Sequence, residues 1–551
     1  MFRSILLLAL QVAATSASTV VYNWNIEWAT AAPDGFHRPV ISVNGQWPCP
    51  AIEVNIGSRV ILNVVNRLQN ETTAVHFHGL FQTGSSQMDG PARVAQCPIS
   101  PGSSFTYNFT INQPGTYWYH AHIGAQYIDG FRGPIIRVLT VEDWYHEQAP
   151  LLLEYYQSPL NEDLHGGAEP VPNATLINGA QNIQFPITPG RTYLFRIINI
   201  GSFAAQFVQF EEHDMTIVEM DGVYTKPYKV SQLFLTAAQR YTVLVKAKPT
   251  NSRNFAIVVS MPLGMFAPSV IPSKLNNNAT AYLVYDNAKS LPEPFMMTYQ
   301  DSAPDDLVFA PYDPQPLLDP VTVPITFTIS FGPNNQNQNR AYFNNISFTP
   351  QKVPTLYTAL SAPPDIVNDP KIYGPNSNPY VLPYGAIVQL TVINTDSGPH
   401  PFHLHSHDFQ VLARSPPGVD GTTLVIPSSF PGGAPMRRDT ILIYGGGAAI
   451  LRFKVDNPGI SLFHCHIEWH VEAGLTATFI EAPTQLQQLG LVIPRNHKET
   501  CYKLGIPMSG NAAGNTDDWT DLRGANTEPP LQNWGALVMR PRKRQLARRH
   551  F

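Results

Sequence analysis

Two stretches near the C-terminal end decide the fold of this chain: His400-Pro-Phe-His-Leu-His405 and His464-Cys-His-Ile-Glu-Trp-His470. Both lie among residues that favour β-strands. In a strand, side chains at positions i and i+2 share a face, and the residue between them points to the other face. Cys465 therefore faces away from His464 and His466. A thiolate on one side and imidazoles on the other predict two metal sites that are joined by a single tripeptide.

The composition predicts several β domains. The chain has 551 residues, of which 51 are proline, 37 are glycine and 43% are hydrophobic. That length exceeds what one hydrophobic core supports, so we expect two to four domains. Abundant Val, Ile, Tyr and Phe between turn residues favour short strands over helices. The formal net charge of −5 argues against nucleic acid as a partner.

The N-terminus has the pattern of a secretory signal peptide at residues 1–18. Arg3 precedes an apolar run, and small residues follow that run. The alternative is an N-terminal core strand. Export is also favoured by five Asn-x-Ser/Thr sites, and no later run approaches the ~20 apolar residues of a membrane span. We therefore expect a secreted glycoprotein, extracellular or in the cell wall, without a membrane span; the five sites are Asn70, Asn108, Asn173, Asn278 and Asn345.

Four cysteines occur in the chain. Cys97 and Cys501 are far apart in sequence, and secretion would permit a disulfide that joins the C-terminal segment to the N-terminal domain. Cys49 would then remain as a small buried side chain. The sequence alone leaves this pairing open.

A threefold repeat defines the domain organisation. Residues 57–66, 190–199 and 385–394 each contain a turn glycine, a β-rich run and a final asparagine. Three such units predict three similar β domains in tandem. We place these domains at 19–140, 141–300 and 301–500, followed by a polar tail at 501–551 that is poorly ordered towards its end. Lys543-Arg544 and Arg548-Arg549 in this tail are either protease processing sites or part of a solvated end.

Four His-x-His pairs occur in the first and third units: His76/His78, His120/His122, His403/His405 and His464/His466. Strand spacing lets each pair aim two imidazoles into one space. The second unit has the segment 203–207, Phe-Ala-Ala-Gln-Phe, at the corresponding place. We therefore expect the outer domains to bind metal and the middle domain to be a spacer that also forms a substrate wall.

His400, His470 and Cys465 form a second ligand set. Two histidines and one cysteine make up the trigonal set of a blue-copper electron-transfer site. Leu475 occupies the region of the usual weak axial ligand, which would leave copper three-coordinate. Ordinary buried histidines, and structural zinc with four ligands in a closed site, explain so many pairs less well. The other seven histidines receive no chemical role: residues 37, 146, 165, 213, 407, 497 and 550.

These motifs, in this order over residues 20–500, resemble the multicopper oxidases, which include laccases, ascorbate oxidases and ferroxidases. The resemblance implies an all-β chain of three tandem cupredoxin-like Greek-key domains with four coppers. It implies one-electron substrate oxidation at a type 1 copper and four-electron reduction of O2 to water at a trinuclear cluster. By this resemblance, type 1 copper belongs to His400, Cys465 and His470, type 2 copper to His76 and His403, and the type 3 pair to His78, His120, His122, His405, His464 and His466.

Acids that supply protons for oxygen reduction in the family match Asp89 and Glu468. The simpler interpretations are a turn aspartate and a surface glutamate. Carboxylates that orient metal-bound histidines would also suit these positions.

The subgroup resemblance is to fungal iron-uptake ferroxidases and related laccase-like oxidases. Glu169 and Asp396 match two acids that bind Fe(II) in such ferroxidases, although Glu169 also suits a solvated loop. A third acid would fall within residues 261–270, where Met-Pro-Leu-Gly-Met-Phe-Ala-Pro-Ser-Val has no carboxylate. An apolar lining suits an aromatic substrate, and either acid could accept a phenol proton.

We therefore predict a secreted, monomeric laccase-like oxidase of phenols, such as pigment or secondary-metabolite precursors. A ferroxidase that oxidises Fe(II) is the alternative. A non-catalytic copper carrier is a remote alternative, because a carrier needs only the Cys465 ligand set.

Overall fold

The computed structural model describes residues 18–135, 138–299, 304–421 and 424–528. Strands hold 37% of the described residues and helices 14%. These strands form six sheets, two for each of three successive β units. The predicted all-β class with three cupredoxin-like domains is therefore confirmed. Except for Ser18, the predicted signal peptide lies outside the described residues.

The first unit has a four-stranded sheet in the order β2-β1-β3-β5 and a three-stranded sheet in the order β4-β6-β7. In β3, Val60, Leu62 and Val64 alternate with more exposed residues, so one face of the strand covers the core. The strands are β1 (Thr19–Ala31), β2 (Arg38–Val43), β3 (Arg59–Asn66), β4 (Val75–His78), β5 (Ser104–Thr110), β6 (Tyr117–Ala121) and β7 (Arg132–Ile135).

The second unit has two larger sheets. Their orders are β14-β13-β16-β11-β8-β9 and β10-β18-β17-β12-β15. The strands are β8 (Leu139–Trp144), β9 (Ala174–Ile177), β10 (Ile183–Pro186), β11 (Thr192–Asn199), β12 (Gln206–Phe210), β13 (Met215–Met220), β14 (Val223–Val230), β15 (Leu233–Leu235), β16 (Arg240–Lys246), β17 (Phe255–Ser260) and β18 (Asn278–Val284). Two helices, α1 (Ala149–Tyr156) and α2 (Pro159–His165), lie between β8 and β9.

The third unit repeats the arrangement, with sheets in the orders β20-β19-β22-β27-β24-β25 and β21-β29-β28-β23-β26. The strands are β19 (Val323–Pro333), β20 (Asn339–Phe343), β21 (Pro379–Leu382), β22 (Ile387–Asn394), β23 (His400–Leu404), β24 (Phe409–Arg414), β25 (Arg437–Arg438), β26 (Thr440–Ile443), β27 (Ala448–Lys454), β28 (Gly459–Cys465) and β29 (Thr476–Glu481). Its helices are α3 (Thr355–Ser361), α4 (Glu468–Ala473), α5 (Pro483–Gln488) and α6 (Arg495–Lys503).

The repeated asparagines have the same structural role in all three units. The side-chain oxygens of Asn66, Asn199 and Asn394 each accept a hydrogen bond from the backbone N–H two residues later, at 2.8–3.0 Å. Their side-chain amides donate to carbonyls across the strand end. Buried amides need such partners, and a hydrophobic residue could not supply them. The sequence repeat therefore marks a shared turn at the end of β3, β11 and β22.

The C-terminal segment is fastened to the first unit. A disulfide joins Cys97 to Cys501 of α6, with a Cα–Cα distance of 5.4 Å. Ile506, Met508 and Trp519 pack into an apolar cluster beside this bond. The tail therefore packs on the molecule as far as it is described, to residue 528, and the end for which we expect poor order lies beyond. Lys543-Arg544 and Arg548-Arg549 lie outside the described residues. Within the described ranges, no helix combines the length and the apolar character needed to cross a membrane.

Candidate metal centre

Cross-strand pairing brings the histidine pairs together. In the first unit β4 runs antiparallel to β6, and His76 lies opposite His120. In the third unit β23 runs antiparallel to β28, and His403 lies opposite His464. The second histidine of each pair lies two residues further along and therefore shares the same face. Each unit thus contributes four imidazoles to one side of a two-strand ribbon.

The two ribbons face each other, and their imidazoles interdigitate. The rings of His76 and His405 stack at 4.0 Å between centroids, and those of His78 and His403 at 3.8 Å. The Nε2 atoms of His405 and His464 lie 3.0 Å apart. His466 Nε2 lies 3.2 Å from His78 Nδ1. All eight predicted imidazoles therefore surround one interior space between the first and third units.

Hydrogen bonds on the outer side orient several of these rings. The Nδ1–H groups of His76, His403 and His464 donate to the carbonyls of Asp89, Asp439 and Cys465 at 2.8–3.0 Å. Such bonds fix the tautomer and leave Nε2 as a free lone pair that points inward. Burial, reinforced by the neighbouring imidazoles, lowers the pKa of most of these histidines, so they are neutral at pH 7.

The inward nitrogens suit metal ions. Within the described residues, His76 Nε2, His120 Nε2 and His403 Nε2 have no hydrogen-bond partner although they are buried. Buried polar atoms without partners are costly, and a bound cation would satisfy them. Neutral imidazole is also the form that binds copper. The donor set therefore fits a copper cluster.

Asp89 lies where it can orient two of the predicted ligands. Its carbonyl accepts from His76, and its Oδ2 accepts from His405 Nδ1 at 2.9 Å. The carboxylate thus bridges histidines from both outer units. Only glycine fits the next position, because a Cβ on Gly90 would lie 1.8 Å from the carbonyl oxygen of Val75.

Asp439 is a functional candidate that sequence reasoning missed. Its Oδ1 lies 3.6 Å from both His403 Nδ1 and His78 Nε2. Arg240, from the middle unit, donates two hydrogen bonds of 2.6 Å to its carboxylate. The sequence signal that could have identified it is the charged run 437–439, which directly precedes an apolar strand.

The second ligand set gathers on the opposite face of β28. Cys465 Sγ lies 3.4 Å from His470 Nδ1 and 3.8 Å from His400 Nδ1, and these two nitrogens are 3.1 Å apart. Burial raises the pKa of the Cys465 thiol. A soft cation bound there would instead hold it as the thiolate. Leu475 is fully buried in the apolar cluster that also contains Cys465.

One covalent link connects the two sets. Cys465 lies between His464 and His466 in sequence, and the strand turns its side chain away from theirs. His464 and His466 contact imidazoles of the larger group, whereas Cys465 contacts His400 and His470. The geometry thus has the two joined sites that the sequence predicts.

Two carboxylates contact the outer edge of the Cys465 site. His470 Nε2 lies 2.7 Å from Glu169 Oε1, and His400 Nε2 lies 3.1 Å from Asp396 Oδ2. Burial alone would raise the pKa of each acid, but the hydrogen bonds and charges of the two imidazoles outweigh it and lower the pKa of both. The two side chains are 26% and 35% exposed, so a solute can reach them.

Glu468 is buried, so its interpretation as a surface residue is wrong. It begins α4, and its N–H donates to the carbonyl of Ser202 in the middle unit at 2.8 Å. Burial and the neighbouring Glu472 raise the pKa of Glu468 well above its ordinary value. Glu472 was missed in the sequence; its Oε1 accepts from the N–H of Ala125 at 3.0 Å, and burial raises its pKa to about 8.

Two residues of the apolar segment 261–270 pack into the core. Met261 and Phe266 are buried in the same cluster as Cys465, and Phe266 packs against Phe203. Phe203 belongs to segment 203–207, which stands where the outer units have a histidine pair. This segment therefore contributes to the core beside the Cys465 site. Met261 and Phe266, which we expected to line an aromatic substrate site, are therefore covered, whereas Leu263, Gly264, Pro268 and Ser269 are exposed.

Family models described as multicopper oxidase match residues 25–138, 136–288 and 348–485. The iron transport multicopper oxidase fetC of Epichloe festucae is 46% identical over 542 residues, covering 95% of this chain and 86% of the relative. FET3 of Saccharomyces cerevisiae, also named an iron transport multicopper oxidase, is 40% identical, covering 93% and 83%.

Two solved structures are similar to this chain over most of its length. The crystal structure of Fet3p, a multicopper oxidase that functions in iron import, has a TM-score of 0.86 at 39% identity and covers 93% of this chain and 99% of that one. A laccase from Botrytis aclada has a TM-score of 0.75 at 27% identity, covering 89% and 92%.

The prediction of a laccase-like phenol oxidase is therefore wrong. Curated relatives between 39% and 47% identical are named iron transport multicopper oxidases. The physical reason for the error lies in the segment 261–270, because an apolar composition suits a core as well as a substrate lining. In the fold, Met261 and Phe266 of this segment pack into the core.

Family matches along most of the chain agree with the placement of the histidines and Cys465 in two joined sites. The same relatives rule out the copper carrier, because they are oxidases. The chain therefore belongs to the multicopper oxidase family, as an oxidoreductase that holds four coppers and reduces O2.

Proposed function

We propose that this protein is a ferroxidase that oxidises Fe(II) to Fe(III) and passes the electrons to O2. The observation that supports this most directly is the pair of carboxylates at the Cys465 site. Glu169 and Asp396 each accept a hydrogen bond from the outer nitrogen of a predicted copper ligand. Carboxylate oxygen is the ligand type that a hard cation prefers. The names of the similar relatives, which are iron transport oxidases, support the same substrate.

The ligand assignment is part of this proposal. Type 1 copper would be held by His400, Cys465 and His470. Type 2 copper would be held by His76 and His403. The type 3 pair would be held by His78, His120, His122, His405, His464 and His466. Bound at these positions, copper supplies one-electron acceptance at type 1 and four-electron reduction of O2 to water at the cluster.

The protein residues provide binding, orientation and a fixed connection. The negative charges of the two acids attract a cation to this edge of the Cys465 site. A cation bound to either acid is separated from that site by a single imidazole. Because each acid touches a ligand ring, the path from bound iron to the thiolate side is short. The tripeptide 464–466 then connects this side to the cluster through covalent bonds.

Only two acids are needed in this version of the iron site. The third acid expected within 261–270 is absent from the sequence, and Met261 and Phe266 are buried there. Waters can complete the coordination of a cation that binds transiently. We infer a weaker iron site than one with three carboxylates, which favours release of Fe(III).

Protons for water formation would come from Asp89 and Glu468. Asp89 hydrogen-bonds two histidines of the cluster. Glu468 lies two residues after His466 and is paired with Glu472 in a buried position. The raised pKa of Glu468 helps this carboxyl keep a proton that it can donate during oxygen reduction.

We also propose that the protein acts outside the cell or in the cell wall, as a monomer. The predicted signal peptide and the five glycosylation sites support export. None of the five asparagines is buried, and Asn278 and Asn345 are exposed, so a glycan could be attached at each without unfolding the chain.

Kinetics with Fe(II) and with phenols on the copper-loaded protein test the function. We expect kcat/KM for Fe(II) to exceed that for methoxyphenols or naphthols by orders of magnitude. Glu169→Ala and Asp396→Ala should each lower kcat/KM for Fe(II) at least about tenfold, a loss of about 1.4 kcal/mol, chiefly through KM.

Asp214→Ala is the matched control, because Asp214 is an exposed acid paired only with Lys229. It should leave iron oxidation unchanged. Equal efficiencies for phenols and Fe(II), or full iron activity in the double variant at positions 169 and 396, would reject the ferroxidase proposal.

A further inference from the structure

The middle domain supplies no predicted copper ligand, yet one of its side chains binds an acid that contacts two of those ligands. Arg240 is the first residue of β16 and is fully buried. Its Nη1 and Nη2 donate to the two carboxylate oxygens of Asp439 at 2.6 Å each. Its Nε donates to the carbonyl of Thr116 in the first domain at 3.0 Å. One guanidinium therefore connects all three domains.

Asp439 in turn contacts histidines of both outer domains. Its carbonyl accepts from His403 Nδ1 at 3.0 Å, and its Oδ1 lies 3.6 Å from His78 Nε2. The hydroxyl of Thr440 donates to Asp439 Oδ1 at 2.8 Å and lies within 3.4 Å of a nitrogen of each ring. The stacked pair His78/His403 thus rests on the backbone and carboxylate of Asp439.

The surrounding residues pack closely around the side chains of Arg240 and Asp439. A Cβ on Gly79 would lie 2.7 Å from Arg240 Nη2 and 2.9 Å from Asp439 Oδ2. The ring of Tyr117 covers the guanidinium at 5.8 Å. Gly79 follows His78 directly, so the ligand strand itself makes the space. A planar fork with two parallel hydrogen bonds fits there, whereas an ammonium could make only one of them.

The position of Asp439 depends on this fork. A buried carboxylate without a counter-charge is strongly unfavourable and moves towards any available donor. The nearest ring nitrogens belong to His78 and His403. Without the guanidinium, Asp439 would rotate towards them and disturb the rings.

We propose that Arg240 is a positioning residue for the copper cluster: by clamping Asp439, it holds His78 and His403 in the stacked geometry that receives copper between the first and third domains. This inference rests on the ligand roles assigned under the proposed function. It gives the middle domain a specific part in copper binding.

The test measures copper binding on the full chain. Total copper, the type 2 copper signal in electron paramagnetic resonance and the blue absorption of type 1 copper are recorded for the wild type, Arg240→Lys, Arg240→Ala and Asp439→Asn. We expect both Arg240 variants to keep the type 1 absorption. Their affinity for type 2 copper, measured by chelator competition, should fall about 10- to 100-fold, with altered type 2 hyperfine parameters.

A double variant separates positioning from general stability. If Arg240 acts through Asp439, then Arg240→Lys added to Asp439→Asn should cause little further loss of type 2 copper. Arg38→Lys is the matched control, because Arg38 is also buried and pairs with an aspartate, Asp129, away from the predicted ligands. It should keep both copper signals.

The other outcomes reject either the inference on Arg240 or the ligand assignment on which it rests. Unchanged type 2 parameters and affinity in folded Arg240→Lys would overturn the inference. So would equal loss of type 1 and type 2 copper, or failure of both Arg240 variants to fold while Arg38→Lys folds, since each indicates a purely structural role. If the wild type itself binds about one copper, the ligand assignment of the proposed function fails instead.

Discussion

Eight imidazoles around one buried space would be unfavourable in a protein that held no cation there. His76, His120 and His403 use Nδ1 to donate to a backbone carbonyl, which leaves the other nitrogen without a partner among the described residues. The carbonyl acceptors of His120 and His403 belong to the next residue and to the residue before the facing strand, whereas Asp89, the acceptor for His76, follows a short 3-10 helix. The strands that align the rings therefore also fix some of their tautomers.

At this scale, Glu468 gives a direct prediction. Glu468→Gln keeps the shape of the side chain but cannot release a proton, so reoxidation of the reduced protein by O2 should slow by about 10²- to 10⁴-fold. Reduction of type 1 copper by Fe(II) should be nearly unchanged. Stopped-flow absorption of the type 1 copper follows both steps.

Glu219→Gln serves as the control. Glu219 is also buried, but its partners are Thr116, Arg196 and Thr242 of the polar network around β16. Reoxidation of that variant should stay at the wild-type rate. Normal reoxidation in Glu468→Gln would remove Glu468 from the proton path.

The ligand residues and some of their acidic partners, such as Asp89, could be predicted from the sequence, but Arg240, Asp439 and Glu472 could not. His-x-His spacing has a direct structural meaning, because the two-residue period of a strand puts both rings on one face. Arg240 and Asp439 are 199 positions apart and meet only through the packing of two domains. Nothing local in the sequence indicates that contact. Glu472 was missed for the same reason, since its partner Ala125 belongs to another domain.

Among the elements, α6 has a role beyond its short length. Its His497 is buried against the first domain, donates to the carbonyl of Thr106 at 2.8 Å and stacks on Phe105. Burial, partly offset by the hydrogen bond to Thr106, lowers the pKa of His497 to about 4. The helix can therefore dock only while this imidazole is neutral.

This docking predicts a pH-dependent stability. The unfolded chain binds a proton at His497 near pH 6.5, whereas the folded chain resists it until about pH 4, so stability falls as pH falls through this window. Between pH 7 and pH 5 the wild type should lose about 2 kcal/mol more than His497→Gln. Urea unfolding at the two pH values measures the difference. Parallel pH profiles of the two proteins would contradict the expected role of His497.

The repeated strands β3, β11 and β22 explain why the architecture was predictable. A turn glycine precedes each, at positive φ, and a buried asparagine ends each. The glycine position needs a positive φ, and the asparagine position needs a buried side chain that forms hydrogen bonds. The glycine and asparagine therefore recur in all three units, although the apolar residues between them differ. The segment 261–270 has no such demand, and its apolar composition suits a core as well as a substrate wall.

At the scale of the whole molecule, the chain is closed by the bond between Cys97 and Cys501, which are 404 positions apart. The link joins the first domain to the helix that follows the third. The predicted copper cluster lies between the first and third domains. The disulfide therefore restrains the same two domains that would hold the copper ions.

Removing this link should destabilise the assembly. Cys501→Ser is expected to lower the free energy of unfolding by about 2–4 kcal/mol. Chemical denaturation of the wild type with and without reductant should give a similar loss, and reductant should have no further effect on the variant. Cys49→Ser is the control, because Cys49 is buried but forms no disulfide. Equal stability of Cys501→Ser and the wild type would show that packing of α6 alone suffices.

The contacts of the middle domain have a consequence for how the sequence can drift over evolutionary time. The absence of predicted copper ligands in this unit would by itself leave it free to diverge. Yet the carboxylate of Asp143 holds the N–H groups of Ser202, Phe203 and Ala204, and the carbonyl of Ser202 receives Glu468. Arg240 likewise donates a hydrogen bond to Asp439 of the third domain. Tolerance to substitution in this unit should therefore be sharply uneven, with neutral change on its outer sheet face and almost none along the two seams where it touches its neighbours.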